Sequence, residues 1–171
     1  GANLWFLSEH AEDVYGIDMC DSALLSAHGY IERRGVHDVT LLTRDARQTD
    51  LPGAYFDLVV DCMTSQHLPW AEHAALYAEY RRVLKPGGYL WLYHLDCKTV
   101  SARGEWKGVC DWAGLALFPD VGFFCLPIQT QLSDVVEVAG FMRPTVRGLA
   151  REYGHPSCDM AHYTILAAEA K

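Results

Sequence analysis

Residues 14–27 read VYGIDMCDSALLSA, a short apolar run that stops at an acid and gives way at once to helical spacing. Residues 14–17 predict a buried strand ending at Asp18. Ser22 is placed to cap a helix carrying Ala23, Leu24, Ala27, Tyr30 and Ile31, and Gly35 is placed to end it. Upstream, residues 2–10 predict a helix that buries Leu4, Trp5 and Leu7. Downstream, 39–42 and 56–60 are apolar runs that read as buried strands, the first ending near Asp45 and the second at Asp61. Over 71–84 the positions Leu76, Tyr77, Tyr80, Val83 and Leu84 recur with helical period, and Lys85-Pro86-Gly87-Gly88 stops that helix before a strand over 89–95. The tail predicts a helix around 130–139 and two strands, about 145–149 and 162–167, that suit an antiparallel hairpin at one sheet edge.

Short strands separated by helices require crossover connections, so the fold class is α/β: a Rossmann-like, mostly parallel sheet with helices on both faces. At 171 residues, half of them hydrophobic, the chain can bury a core of its own, and a single domain is the expectation. The formal net charge of -8 opposes the phosphate attraction behind most nucleic-acid binding. No stretch has the length of an apolar membrane span and no signal peptide is visible, so a cytoplasmic protein is expected. The six cysteines form no CxxC pair and read as free thiols. His155, Cys158 and His162 match no standard zinc spacing, so no metal is expected.

Ligands of open α/β sheets sit beyond the carboxyl ends of the strands, and three successive strands here end in an acid: Asp18, Asp45 and Asp61. A carboxylate there can accept hydrogen bonds from both hydroxyls of a ribose, as Asp18 would, or from an adenine amino group, as Asp45 would. The plainer alternative is that each acid caps the following turn or helix.

VYGIDMCDSALLSA, then TRDARQTDLPGAYFDLVVDCMTSQHL, then YRRVLKPGGYLWL closely resembles the class I S-adenosylmethionine-dependent methyltransferases, in particular their small-molecule branch. The resemblance spans about residues 1–95. It implies that Asp18 binds the cofactor ribose with Met19 packing against adenine, that Asp45 and Ala46 contact adenine, and that Asp61 and Cys62 meet the methionine part. It also places Gly1 at the last glycine of the family's GxGxG loop, which implies that the first strand and most of that loop are missing from the sequence. The run Lys85 to Gly88 reads as architectural.

After the fourth strand the sequence is DCMTSQHLPW, without the acid or Asn, two prolines and aromatic of amino methyltransferases that act on nucleic-acid bases. With the acidic balance this points to a small-molecule acceptor, with no nucleic-acid or membrane partner and a homo-oligomer as an option. Methyl transfer from a sulfonium needs alignment and a dry site more than a strong acid or base. His67 can accept a proton from a hydroxyl nucleophile, or be simply a packed or capping histidine; His94, expected to face substrate, is open to the same two readings. Between the fifth strand and the tail helix lies a long segment with Trp106 and Trp112, read as covering the substrate, or as an added packing layer or dimer surface. The domain divides accordingly into a cofactor-binding core (1–95), a substrate cap (96–131) and a C-terminal helix with edge strands (132–171). Two other functions stay open: a catalytically silent partner or scaffold on the same fold, and, less well matched by Asp45 and the glycine turn, an NAD-dependent oxidoreductase.

Overall fold

The computed structural model describes residues 1–96, 115–118, 122–126, 128–155 and 158–171, with side chains of 115–118, 122–124, 151–155 and 158–162 left aside. The chain forms two compact units, Gly1–Asp50 and Leu51–Lys171.

In the first unit, helix α1 (Ala2–Ser8), strand β1 (Val14–Asp18), helix α2 (Asp21–Glu32) and strand β2 (Val39–Thr43) follow one another. The strands β1 and β2 pair in parallel, with Val14 opposite Val39 and Asp18 opposite Thr43. Leu4, Trp5 and Leu7 are half-buried, and Leu24, Ala27, Tyr30 and Ile31 form the inner stripe of α2. Ser22 is not the cap of α2: Cys20 holds the extended backbone of an N-cap and Ser22 is the second helical residue. Gly35 ends the helix with φ +73, its N–H and that of Val36 closing on the Glu32 and Ile31 carbonyls.

In the second unit, β3 (Phe56–Cys62), α3 (Trp70–Val83) and β4 (Leu84–Leu95) make a parallel crossover. Strands β5 (Leu115–Phe118) and β6 (Gly122–Cys125) form a hairpin, followed by helix α4 (Gln129–Val138) and the long strands β7 (Phe141–His155) and β8 (Cys158–Ala170). The sheet order is β3-β4-β8-β7, with β8 antiparallel to both its neighbours. The α/β class and the C-terminal antiparallel hairpin are as expected; the tail strands run further at both ends than their apolar centres. Pairing of β7 and β8 shifts register between Met142 and Thr145, where Arg143 has φ +51 and Pro144 has no N–H to give.

Even positions of β4, Leu90, Leu92 and His94, are buried with Leu76, Tyr77, Tyr80 and Val83 of α3, Leu132 and Val136 of α4, and Leu166 of β8. Odd positions lie on the other face, where Trp91 stacks on Tyr93 at 6.0 Å and Tyr93 on Tyr163 at 4.6 Å. Strand β3 is less buried than its apolar run suggested, with Leu58 43% exposed, because among the described residues it pairs on one side only.

The glycine turn works as architecture. Phe56 pairs with Leu84 and Leu58 with Tyr89, so the residues between bulge out of the ladder, while Lys85 Nζ bridges both carboxylate oxygens of Asp57 at 2.8 Å. Gly87 has φ +78, and a Cβ on Gly88 would stand 3.0 Å from the Lys85 carbonyl oxygen and 3.1 Å from that of Asp57. Backbone carbonyls cannot turn aside as a side chain would. Gly88→Val should therefore lower stability by about 1–3 kcal/mol and Gly87→Ala by about 1–2 kcal/mol, both measured by urea unfolding; wild-type midpoints for both would remove this turn from the fold's requirements.

Candidate functional site

The carboxyl edge of the β1–β2 pair gathers the first group of candidate residues. Asp18 ends β1 opposite Thr43, and its backbone carbonyl accepts the Arg44 N–H at 3.1 Å, so Asp45 follows just beyond the same edge. The Asp18 carboxylate is exposed; one oxygen accepts the Cys20 backbone N–H at 2.9 Å, which fixes the side chain against the start of α2. Met19 beside it is 64% exposed. The Cys20 thiol lies 3.0 Å from the Ser22 hydroxyl, and this contact, with the backbone N–H groups of Ala23 and Ser22, lowers its pKa.

Asp45 is differently situated. Its oxygens accept the Arg47 backbone N–H at 2.8 Å and Arg47 Nε at 2.9 and 3.0 Å, with Nη2 closer still. The Arg47 side chain and backbone hold this carboxyl below the usual carboxylate range. An amine arriving at Asp45 competes with these three N–H groups for the carboxylate's roughly four acceptor positions. Ala46 is half-buried in the same turn. Gly1 caps α1 against α2, where a Cβ would approach the Ala27 carbonyl oxygen and Tyr30 Cβ to 3.0 Å.

The second unit holds the remaining candidates around the loop after β3. Asp61 is 2% exposed. Its carboxylate accepts the Thr64 N–H at 2.8 Å, the Ser65 N–H at 3.2 and 3.3 Å and the Tyr80 hydroxyl at 3.1 Å. Burial pushes its pKa up against these hydrogen bonds, and the same burial with the Asp61 charge raises that of Tyr80. Asp61 thus holds its own loop, while Cys62 next to it is exposed. Met63 has φ +69, uncommon for a side chain of this size, and donates its N–H to the Tyr93 carbonyl at 2.8 Å.

The loop continues as the 3₁₀ turn Ser65–His67. His67 is exposed on it, its Nε2 3.5 Å from Gln66 Nε2. Gln66 is 2% exposed and accepts the Leu95 N–H at 3.0 Å, so the turn is tied to β4. His94 faces the interior with Leu90 and Leu92 at 1% exposure. Its Nδ1 lies 2.8 Å from the Leu95 carbonyl; a carbonyl only accepts, which assigns the proton to Nδ1 and leaves Nε2 an acceptor. Trp106 and Trp112 lie outside the described residues.

Sequence reasoning placed Tyr77 and Tyr80 only in the helical stripe and missed His73 and Asp96 behind this loop. His73 and Tyr77 belong to the buried stripe of α3 together with Tyr80, at helical spacing that was legible, and the His73 and His94 rings stand 6.4 Å apart. Asp96, 3% exposed, accepts the Thr164 hydroxyl at 2.9 Å. The β5–β6 hairpin was also missed, although Pro119-Asp120 between two apolar runs is a turn signal.

Burial pushes the pKa of His73 down to about 4, with the nearby His94 adding to it, and burial pushes His94 down to about 4. An unfolded histidine titrates near 6.5. Between these values the unfolded chain binds more protons, so this contribution to stability falls as pH falls from 6.5 towards 4. Asp61, whose folded pKa is raised, works in the opposite sense. The discriminating measurement is thus a difference: His94→Phe should lose less stability than wild type across that window in urea titrations. Equal losses would show that His94 does not contribute to the acid limb.

Residues 1–88, just over half of the chain, match the family model described as a methyltransferase domain. The demethylmenaquinone methyltransferase of Geobacillus stearothermophilus is 32% identical over 75 residues, which is 44% of this chain and 31% of that protein. The chain thus spans about a third of the length of that curated relative. Among solved structures, the PH0226 protein of Pyrococcus horikoshii superposes with TM-score 0.78 at 20% identity, over 100% of this chain and 77% of the other. A SAM-dependent methyltransferase of Methanosarcina mazei gives TM-score 0.76 at 17% identity, over 96% and 84%. The Burkholderia thailandensis 1,6-didemethyltoxoflavin-N1-methyltransferase, solved with 1,6-didemethyltoxoflavin and S-adenosylhomocysteine, gives 0.72 at 16% identity, over 100% and 67%.

Proposed function

The chain belongs to the methyltransferase domain family, and on that footing we propose that it binds S-adenosylmethionine and passes its methyl group to a small-molecule acceptor. The observation that carries the reading is the placement of Asp18 and Asp45 at one carboxyl edge of parallel strands in register. The donor set fits the cofactor's polar half: Asp18 has an exposed carboxylate held in place by the Cys20 N–H, with exposed Met19 beside it for an apolar ring. Asp45 suits an adenine amine in competition with Arg47, and Ala46 follows it in the turn. The family match sets the nicotinamide reading aside.

When bound, the cofactor supplies an electrophilic methyl on a sulfonium. The chain's own residues then have to bind and orient the two reactants and exclude water. Gly1 and Cys62 are assigned to the cofactor side by the family resemblance, and exposed His67 to the acceptor, where its imidazole would take a proton from a hydroxyl. His94 stands behind His67 in the interior. The segment 96–131 with Trp106 and Trp112 is assigned as the substrate cap, following the core 1–95 and preceding the tail 132–171; the packing of β6 beside the Ser65–His67 turn supports this. A small acceptor in place of nucleic acid is supported by the net charge of -8 and by the lack of the base-methylating signature in residues 61–70. No helix among the described residues is long and apolar enough to cross a membrane, in keeping with a cytoplasmic assignment.

Asp18→Ala removes the carboxylate assigned to both ribose hydroxyls. It should weaken S-adenosylmethionine binding by about 1–3 kcal/mol, read by calorimetric titration of the full chain. Unchanged affinity would take Asp18 out of the site.

A further inference from the structure

Behind the loop after β3, four side chains from three elements bring polar atoms together inside the second unit. Ser65 from the loop, His73 and Tyr77 from α3 and His94 from β4 are each between 0% and 1% exposed. Among the described residues, Ser65 Oγ, both ring nitrogens of His73, Tyr77 Oη and His94 Nε2 lack a hydrogen bond of good geometry, although the Ser65 hydroxyl lies near enough to Asp61 and Tyr77 to favour the charged form of each. The Ser65 and Leu68 carbonyls lie near enough to His73 to favour its charged form, but not in hydrogen-bonding geometry. His94 Nε2 is an acceptor, because its other nitrogen is committed to the Leu95 carbonyl. The His73 and His94 ring centroids are 6.4 Å apart with planes 66° apart, and those of His73 and Tyr77 are 5.6 Å apart. Collinear imidazoles joined directly through nitrogen sit closer than the first spacing, at roughly 5 Å between centroids, whereas one small bridging molecule with hydrogen bonds of about 2.8 Å spans it.

Buried polar groups are rarely left unpaired, and interior spaces that stay dry are lined by apolar atoms. Here the lining offers two hydroxyls, an imidazole with one donor and one acceptor, and a second imidazole acceptor. From this we infer that Ser65, His73, Tyr77 and His94 form a built site for internal water, with at least one long-lived molecule joining the loop to α3 and β4. The water completes what Asp61 and Gln66 begin: Asp61 fixes the backbone of Thr64 and Ser65, Gln66 fixes the turn to Leu95, and the water ties His73 of α3 to His94 of β4 behind them. The four residues are thereby positioning residues for the loop, whatever that loop contacts on its exposed side, and the inference does not rest on the methyl-transfer reading.

The test is oxygen-17 magnetic relaxation dispersion, which counts long-lived internal waters, on the full chain and on its His73→Phe and Tyr77→Phe variants. Wild type should show a dispersion amplitude that falls by about one water in His73→Phe, and amide exchange at Thr64 and Ser65 should speed up by tenfold or more in the same variant. Tyr77→Phe removes only a hydroxyl and keeps the ring, so it decides the matter if His73→Phe does not fold; it too should reduce the amplitude or shorten the residence time. Equal dispersion in wild type and folded variants, or a crystal structure with His73 and His94 bonded directly to each other, would overturn the site.

Discussion

Burying the Asp61 carboxylate is the constraint to which the second unit answers. A carboxylate at 2% exposure is tolerable only when donors surround it, and the chain supplies them from two directions. The loop gives the Thr64 and Ser65 N–H groups, and α3 gives the Tyr80 hydroxyl. Once those bonds are made, the end of β3, the 3₁₀ turn and the middle of α3 are no longer independent. The turn is then held against β4 by Gln66, and the side of β4 that faces α3 must carry whatever packs beneath the turn. Removing that carboxylate would strand several donors at once, a costlier change than losing one surface pairing.

Much of the fold was legible because each element had a local physical signature. The apolar run before Asp18, the helical spacing of Leu24, Ala27 and Ile31, and the stripe Leu76, Tyr77, Tyr80 and Val83 each place an element within a residue or two. Helix starts were less legible: a Cys at the cap of α2 has no sequence signature when a Ser stands two residues on. The lengths of β7 and β8 were not legible either, because residues beyond their apolar centres pair through backbone groups that composition does not report.

The site divides in the same way. Strand-end acids can be found by position, yet position does not tell which way a carboxylate turns. Asp18 stays in solvent, Asp45 is taken by Arg47, and Asp61 turns inward. The two histidines that stand behind the turn come from an alternation and a helical period that also describe apolar core positions, so only tertiary contacts reveal that His73 and His94 meet.

The guanidinium clamp on Asp45 makes the two acids at the β1–β2 edge chemically unlike. Asp18 presents an exposed carboxylate, whereas Asp45 and Arg47 together form a nearly neutral couple. A ligand approaching the second acid feels little long-range attraction, and is sorted there by the direction of its hydrogen bonds, not by the sign of its charge. Arg47 thus acts as an internal competitor: any donor reaching Asp45 meets an acceptor whose oxygens are already engaged by a guanidinium and a backbone N–H.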